Sequence, residues 1–263
     1  MRRLVRRDGA APGVSPALSG GREGRRITPP ESPVVARPVM FQHWRHLTFL
    51  HWRYPVEAVQ ALLPPGLTAQ EFDGSAWIGL VPFLMDRVRA PFVPPVPWLS
   101  RFPETNVRTY VSGPDGSQGI WFFSLDAARM PAVLAGRSAY RLPYLWARMA
   151  LRHGPGEYRY RSSRRWPGPR GARCDATVVP GDPVEPGELE YFLTYRFRLY
   201  AAMRRGLVVA EAGHGPWPLR TGRLVHLDEN VVEAAGLPKP EGEPLVHTSP
   251  GVGVRIGPWR RLL

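Results

Sequence analysis

Thirty-one prolines and 27 glycines are spread through 263 residues, and this density constrains the fold more than any motif does. Proline removes a backbone donor and breaks helix interiors; glycine weakens helices and supplies the positive φ of tight turns. A chain punctuated this often builds short elements joined by turns, which suits strands better than long helices. Hydrophobic residues make up 43% of the chain, enough for a buried core, and the length fits one domain.

Hydrophobic periodicity places the elements. In HWRHLTFLHWRY at 43–54, Leu47, Phe49, His51 and Arg53 share one face, and His46, Thr48, Leu50 and Trp52 the other. Apolar groups on both faces predict a strand covered on both sides. Pro55 opens a short helix with Val56, Val59, Leu62 and Leu63 inward, stopped by Pro64-Pro65-Gly66. Residues 77–88 predict a strand in which Pro82 marks an edge or a bulge. A proline-rich aromatic loop follows at 91–103. Residues 105–112 and 119–127 predict a hairpin across 113–116, residues 130–140 a helix and residues 149–162 strands. Residues 163–187 read as a polar loop, and Leu189, Phe192, Leu193, Arg196 and Tyr200 follow helical spacing. Residues 1–37 show no hydrophobic period and are expected to be disordered, leaving 38–263 as a single domain with Met40, or a codon near it, as the expected translational start.

The net charge of +13 raises the question of nucleic acid. Residues 1–37 carry eight arginines against three acidic residues, and the other arginines are scattered among apolar positions rather than gathered in a stripe. No nucleic-acid partner is therefore expected. Arginine outnumbers lysine 34 to one, as GC-rich coding produces. Cys174 is the only cysteine, which rules out an intrachain disulfide and fits a reducing cytoplasm. No apolar run approaches the roughly 18 residues of a membrane span, and the basic N-terminus lacks the apolar run of a signal peptide. A cytoplasmic protein without a membrane partner is expected. His43 and His46 would point to opposite faces of a strand, and neither an HExxH nor a Cys/His cluster occurs, so no metal is expected. A glycine-rich strand-to-helix turn and a Gly-x-Ser-x-Gly are also missing, which argues against a nucleotide cofactor or a hydrolase triad; no cofactor is expected.

Several runs resemble the YqjF-like family of uncharacterised proteins: LTFLHWRYP at 47–55, LLPPGL at 62–67, GLVPF at 79–83, FPETNVRTYV at 102–111, FFSLDA at 122–127, PWPL at 216–219, EAAGLP at 233–238 and HTSPGVGV at 247–254. This resemblance implies an acetoacetate decarboxylase-like α+β fold, a mostly antiparallel β-barrel or cone with a few peripheral helices and an internal pocket. A more distant likeness to the decarboxylases themselves aligns Arg53, Phe102-Pro103-Glu104, Leu125-Asp126, Gly136-Arg137 and Leu142-Pro143-Tyr144-Leu145 with segments of that family. Its catalytic lysine pair then falls on Tyr144 and Leu145. The likeness implies a pocket walled by Arg53, Glu104 and Tyr144 but not decarboxylation, because lysine forms the Schiff base and arginine, always protonated, cannot replace it. Decarboxylases of this fold assemble into oligomers, so a homo-oligomer is implied as well, with no interface legible in the sequence.

The candidate site residues follow. Arg53 and Glu104 are read either as a pair that orients a substrate carboxylate or carbonyl, with Glu104 as acid or base, or as a structural ion pair. Glu104, Asn106, Arg108 and Tyr110 alternate onto one strand face, where Arg108 is a second polar group of the lumen or a surface cation; i and i+4 on a strand stand about 13 Å apart. Tyr144 is read as a hydrogen-bond donor or acid, or as a barrel-lining aromatic. Trp98 and Phe102 belong to an apolar lid at 91–103. Two functions remain open: a small-molecule binding protein, in which Arg53 selects an anionic or carbonyl group, and a non-covalent acid–base enzyme using Glu104 and Tyr144 on a keto or enol compound.

Overall fold

A computed structural model describes residues 30–154, 156–204 and 206–262. The expected disorder of 1–29 lies outside them. Residues 30–37 are not loose: Val35 is buried, and the Ser32 hydroxyl accepts the His214 backbone N–H at 3.1 Å. Gly213 permits this, since a Cβ there would stand 2.8 Å from the Pro33 carbonyl.

Strands dominate. β1 (Met40–Tyr54), β3 (Ala76–Arg89), β4 (Phe102–Ser112) and β5 (Gln118–Ala127) form an antiparallel meander, with the short β2 (Thr68–Ala69) on the outer part of β4. α1 (Val56–Gln60) follows β1 and buries Val59, stopping before the proline pair; Leu62, expected inward, is exposed. α2 (Met130–Ala139) follows β5. β6 (Tyr144–Gly154), β7 (Glu157–Trp166), β8 (Arg173–Pro183), β11 (Arg220–Glu229) and β12 (Leu245–Ile256) return to β1 and close a nine-stranded barrel. After α3 (Glu188–Thr194), β9 (Arg198–Met203) and β10 (Gly206–His214) form a hairpin that bridges β5 to β12, and β13 (Arg260–Arg261) adds to β10. The bridge makes a smaller ring of seven strands, and β12, β1, β3, β4 and β5 are shared by both rings.

Sharing explains the two-sided apolar pattern of β1. Leu50, Trp52 and Tyr54 pack with Ile78, Leu80 and Val107 against Tyr160, Cys174 and Ala176. Leu47 and Phe49 face the other way, with Val81, Phe83, Phe197 and Trp217. Pro82 falls where β1–β3 pairing is interrupted between Arg45/Leu84 and Leu50/Leu80, so its missing donor costs no ladder bond there.

Two expectations are corrected. The loop expected at 163–187 contains the end of β7 and all of β8, whose Cys174, Ala176 and Val178 alternate inward between polar residues; small side chains and flanking Gly/Pro hid that period. The helix expected through Tyr200 ends at Thr194, and Leu199 and Tyr200 belong to β9, because pairing with β5 and β10 overrides helical spacing.

Candidate functional site

β4 supplies the polar spine of an internal cavity of about 170 Å³. Phe102, Glu104, Asn106 and Arg108 line it in strict alternation, and all four are buried. Neighbouring strands reach it through changes of parity. β1 contributes Met40, Gln42 and Trp44, then Leu47, with His46 between them at φ +48°. β3 contributes Val81, Phe83 and Met85, then Val88, with Arg87 at φ +52°. β5 contributes Ile120 and Phe122, then Leu125, across a bulge that leaves Phe123 without a partner on β4. Such irregularities re-aim side chains, and here each keeps apolar groups on the wall as the strands bend. Leu199, Ile256 and Trp217 add to that wall, while Ala132, Ala135 and Gly136 of α2 close one side.

Tyr144 enters from the start of β6. Its hydroxyl donates to Glu104 Oε2 at 3.0 Å. Gly136 makes room for its ring, since any Cβ there would collide with Tyr144 Cδ2. Arg137, expected to be an ordinary helix-end cation, donates to the Tyr144 carbonyl at 2.8 Å and holds the segment on α2.

The electrostatics are unusual for a carboxylate. Burial pushes Glu104 up to about 8; the Tyr144 hydrogen bond opposes this and Asp126 adds to it. Glu104 is therefore protonated at neutral pH, a neutral acid that can donate. Tyr144 is held well above the ordinary tyrosine range, chiefly by burial and then by Glu104, and stays a phenol. Arg108 is the converse case. Its side chain lies over Phe49 and Tyr110, its Nη2 donates to the Leu193 carbonyl at 3.4 Å, and its Nε has no partner among the described residues. No carboxylate pairs with it among the described residues. His51 Nε2 lies 2.6 Å from the Tyr110 hydroxyl, which donates at 2.6 Å to Leu193, so the His51 nitrogen is assigned as the donor. Burial, then Arg108 and His247, hold His51 well below the ordinary histidine range. It is neutral and does not offset Arg108.

Glu104, Arg108, Phe102 and Tyr144 are thus brought together, and Arg53 and Trp98 are not. Arg53 follows β1 past the ring to solvent, where it pairs with Asp73 at 3.0 Å and lies over Trp77. It does not reach Glu104, because the strand face that carries it runs beyond the cavity. Trp98 is 65% exposed, stacks with Arg129 and leaves the cavity wall to Phe102. Phe92, Val93 and Val96 are exposed with it, so residues 91–98 stand in solvent rather than forming a lid.

Sequence reasoning missed one group. Asp126 and Arg164 form an ion pair at 2.9 Å with both side chains 1% exposed. Burial raises Asp126 to about 6 although Arg164 lowers it. Arg164 sits in the run RSSRRW of β7, which looks like a solvated face. No group of three or more His, Cys, Asp or Glu able to hold a metal occurs among the described residues, and no helix among them is long and apolar enough to cross a membrane.

Residues 41–253 match the model of DUF2071, described as an uncharacterised conserved protein family. The chain is 35% identical to the uncharacterised protein YqjF of Bacillus subtilis (strain 168) over 226 residues, covering 85% of this chain and 92% of that one. Among solved structures it is similar to the acetoacetate decarboxylase of Legionella pneumophila, with a TM-score of 0.62 at 12% identity over 97% of this chain and 98% of that one. It is similar also to an acetoacetate decarboxylase-like enzyme from Sphingomonas wittichii RW1, with a TM-score of 0.60 at 16% identity over 91% and 98%. The enduracididine biosynthesis enzyme MppR in complex with pyruvate gives a TM-score of 0.60 at 16% identity over 96% and 98%. The fold is acetoacetate decarboxylase-like, and the chain belongs to the DUF2071 family.

Proposed function

We propose that this member of the DUF2071 family binds a small, largely apolar carboxylic acid in its internal cavity, with the carboxylate on Arg108 and a carbonyl or hydroxyl oxygen at Glu104 and Tyr144. The observation that carries this reading is Arg108 itself. A buried cation facing a cavity without a carboxylate partner is costly unless a ligand supplies the charge. Protonated Glu104, which accepts the Tyr144 hydroxyl on Oε2, offers its own O–H as a neutral donor to an oxygen while leaving the anion to Arg108. The rest of the wall is apolar, as in ligand sites in general. At about 10–15 Å³ per water, the cavity of about 170 Å³ suits a ligand of roughly 11–17 heavy atoms. The pyruvate held by the similarly folded MppR supports a keto acid as the first class to try.

The wall contains no lysine among the described residues, and Lys239 is exposed in an irregular segment after Leu237. The proposed binding mode uses no Schiff base. Calorimetric titration with keto acids, aryl acids and their methyl esters tests the binding reading. Acids should bind wild type, esters should bind poorly, and Arg108→Gln should lose the acids. Equal binding of acid and ester, or retention in Arg108→Gln, would remove Arg108 as the anchor.

A second reading rests on Glu104 and Tyr144. A cavity carboxyl pushed up to about 8 is poised to exchange protons near neutral pH. It fits a non-covalent acid–base enzyme of lyase or isomerase type acting on a keto or enol compound. Exchange of the α-hydrogens of a bound keto acid in D₂O, followed by NMR, tests it. Exchange that is catalysed by wild type and lost in Glu104→Gln with binding intact supports the enzyme; binding without exchange leaves a binding protein.

A further inference from the structure

We infer that the free edge of β6 is a docking site for an acidic, extended segment of a partner protein, added as one more strand. β6 pairs with β5 only at Tyr144, Leu145 and Trp146. At Ala127 β5 ends and the chain turns off into α2. From Ala147 to Gly154, β6 has β7 on one side and no strand on the other among the described residues. In an antiparallel ladder alternate residues direct both backbone groups to the same side. Half of these eight residues therefore present N–H and C=O to the open edge, the template that strand addition uses.

The side chains along this edge say which strand fits. A surface groove of about 950 Å³ lies where β5 departs. Its floor is apolar, with Trp146, Met149 and Trp166, and its rim carries Arg148, Arg165 and Arg170, with no acidic residue in the lining. Farther along, Arg148, Ala150 and Arg152 occupy the exposed face of β6; Arg161 and Arg159, opposite Ala150 and Arg152 on β7, are paired with Asp175 and Glu157, whereas Arg148 and Arg152 have no carboxylate partner among the described residues. An incoming strand that alternates acidic with apolar side chains would set carboxylates against Arg148 and Arg152 and apolar groups beside Met149 and Leu151, on the opposite face. A second copy of this chain fits poorly, since two β6 edges running antiparallel bring the Arg148 and Arg152 sets together without a carboxylate between them. The charge that excludes a like edge is the charge that selects an acidic one.

The test uses the full chain and a fluorescein-labelled peptide alternating Glu and Val, read by fluorescence anisotropy. Saturable binding is expected. It should be absent for the peptide with Lys in place of Glu, and weakened about tenfold or more by Arg148→Glu/Arg152→Glu, two exposed positions whose folded state is checked by circular dichroism. Peptides N-methylated at alternate amides discriminate strand addition from charge attraction without touching the protein. Methylation along one edge should abolish binding, and methylation along the other should leave it intact. Equal tolerance of both methylated forms, equal binding of the Lys peptide, or no saturable binding would overturn the inference. A dimer in light scattering that Arg148→Glu/Arg152→Glu abolishes would also overturn it, in favour of a second copy on this edge.

Discussion

Glu104→Gln should stabilise the unliganded protein at neutral pH, and the gain should grow with pH. Glu104 lies at about 8 in the fold against an ordinary 4.5. Between those values the folded state keeps a proton that the unfolded chain has released. Stability therefore falls as pH rises through that window, by up to about 5 kcal/mol across the whole of it and about 3 kcal/mol by pH 7. Glutamine cannot ionise, and its carbonyl still accepts the Tyr144 hydroxyl. Its amide is a buried donor, which subtracts about 1 kcal/mol or more if it finds no partner. The net expectation at pH 7 is a gain of about 2 kcal/mol, with no gain near pH 4.5. Urea denaturation of both proteins from pH 5 to 8.5 measures it, because titrations common to both cancel in the difference. A difference independent of pH, or a wild type that is the more stable at pH 7, would refute a protonated Glu104.

Arg108→Met should leave unliganded stability unchanged or raised, because it removes a buried cation without orphaning a carboxylate; thermal unfolding with and without ligand checks both halves. Asp126→Asn should destabilise by about 3–5 kcal/mol by stranding Arg164, seen as a lower urea midpoint. Gly136→Ala should displace the Tyr144 ring and lower both the melting temperature and the affinity for acids. His46, held at about 4 mainly by burial and also by His153, binds a proton in the unfolded chain first, so stability should fall as pH drops from 6.5 towards 4. His46→Asn should flatten that loss in a pH series of melting temperatures, and asparagine tolerates the positive φ. Acetoacetate followed by borohydride should leave the mass of the protein unchanged, and an adduct on Lys239 would restore Schiff-base chemistry.

Local periodicity was enough for the alternation of β4. A two-residue repeat puts Glu104, Asn106 and Arg108 on one face whatever the rest of the chain does, although Thr105, Val107 and Thr109 on the other face are equally buried and only the closed barrel makes the first face the cavity side. Turn chemistry likewise marked the β4–β5 hairpin and the stop after α1, since proline and glycine act on their own backbone. The likeness to decarboxylases placed Tyr144 where a lysine would stand, and that Lys239 is the one lysine is a fact of composition.

Everything that depends on where an element ends in space was out of reach. Arg53 has the alternation of a lumen residue, but the period does not reveal that β1 outruns the ring. The parity changes near His46, Arg87 and Phe123 come from pairing with distant strands. Asp126 meets Arg164 across 38 positions of sequence, and β9 left its helical spacing to bridge β5 and β10. The protonation of Glu104 belongs to the same class. A pKa is set by the water removed around a group and by the charges left near it, and both are properties of the closed barrel rather than of the segment that carries the carboxyl.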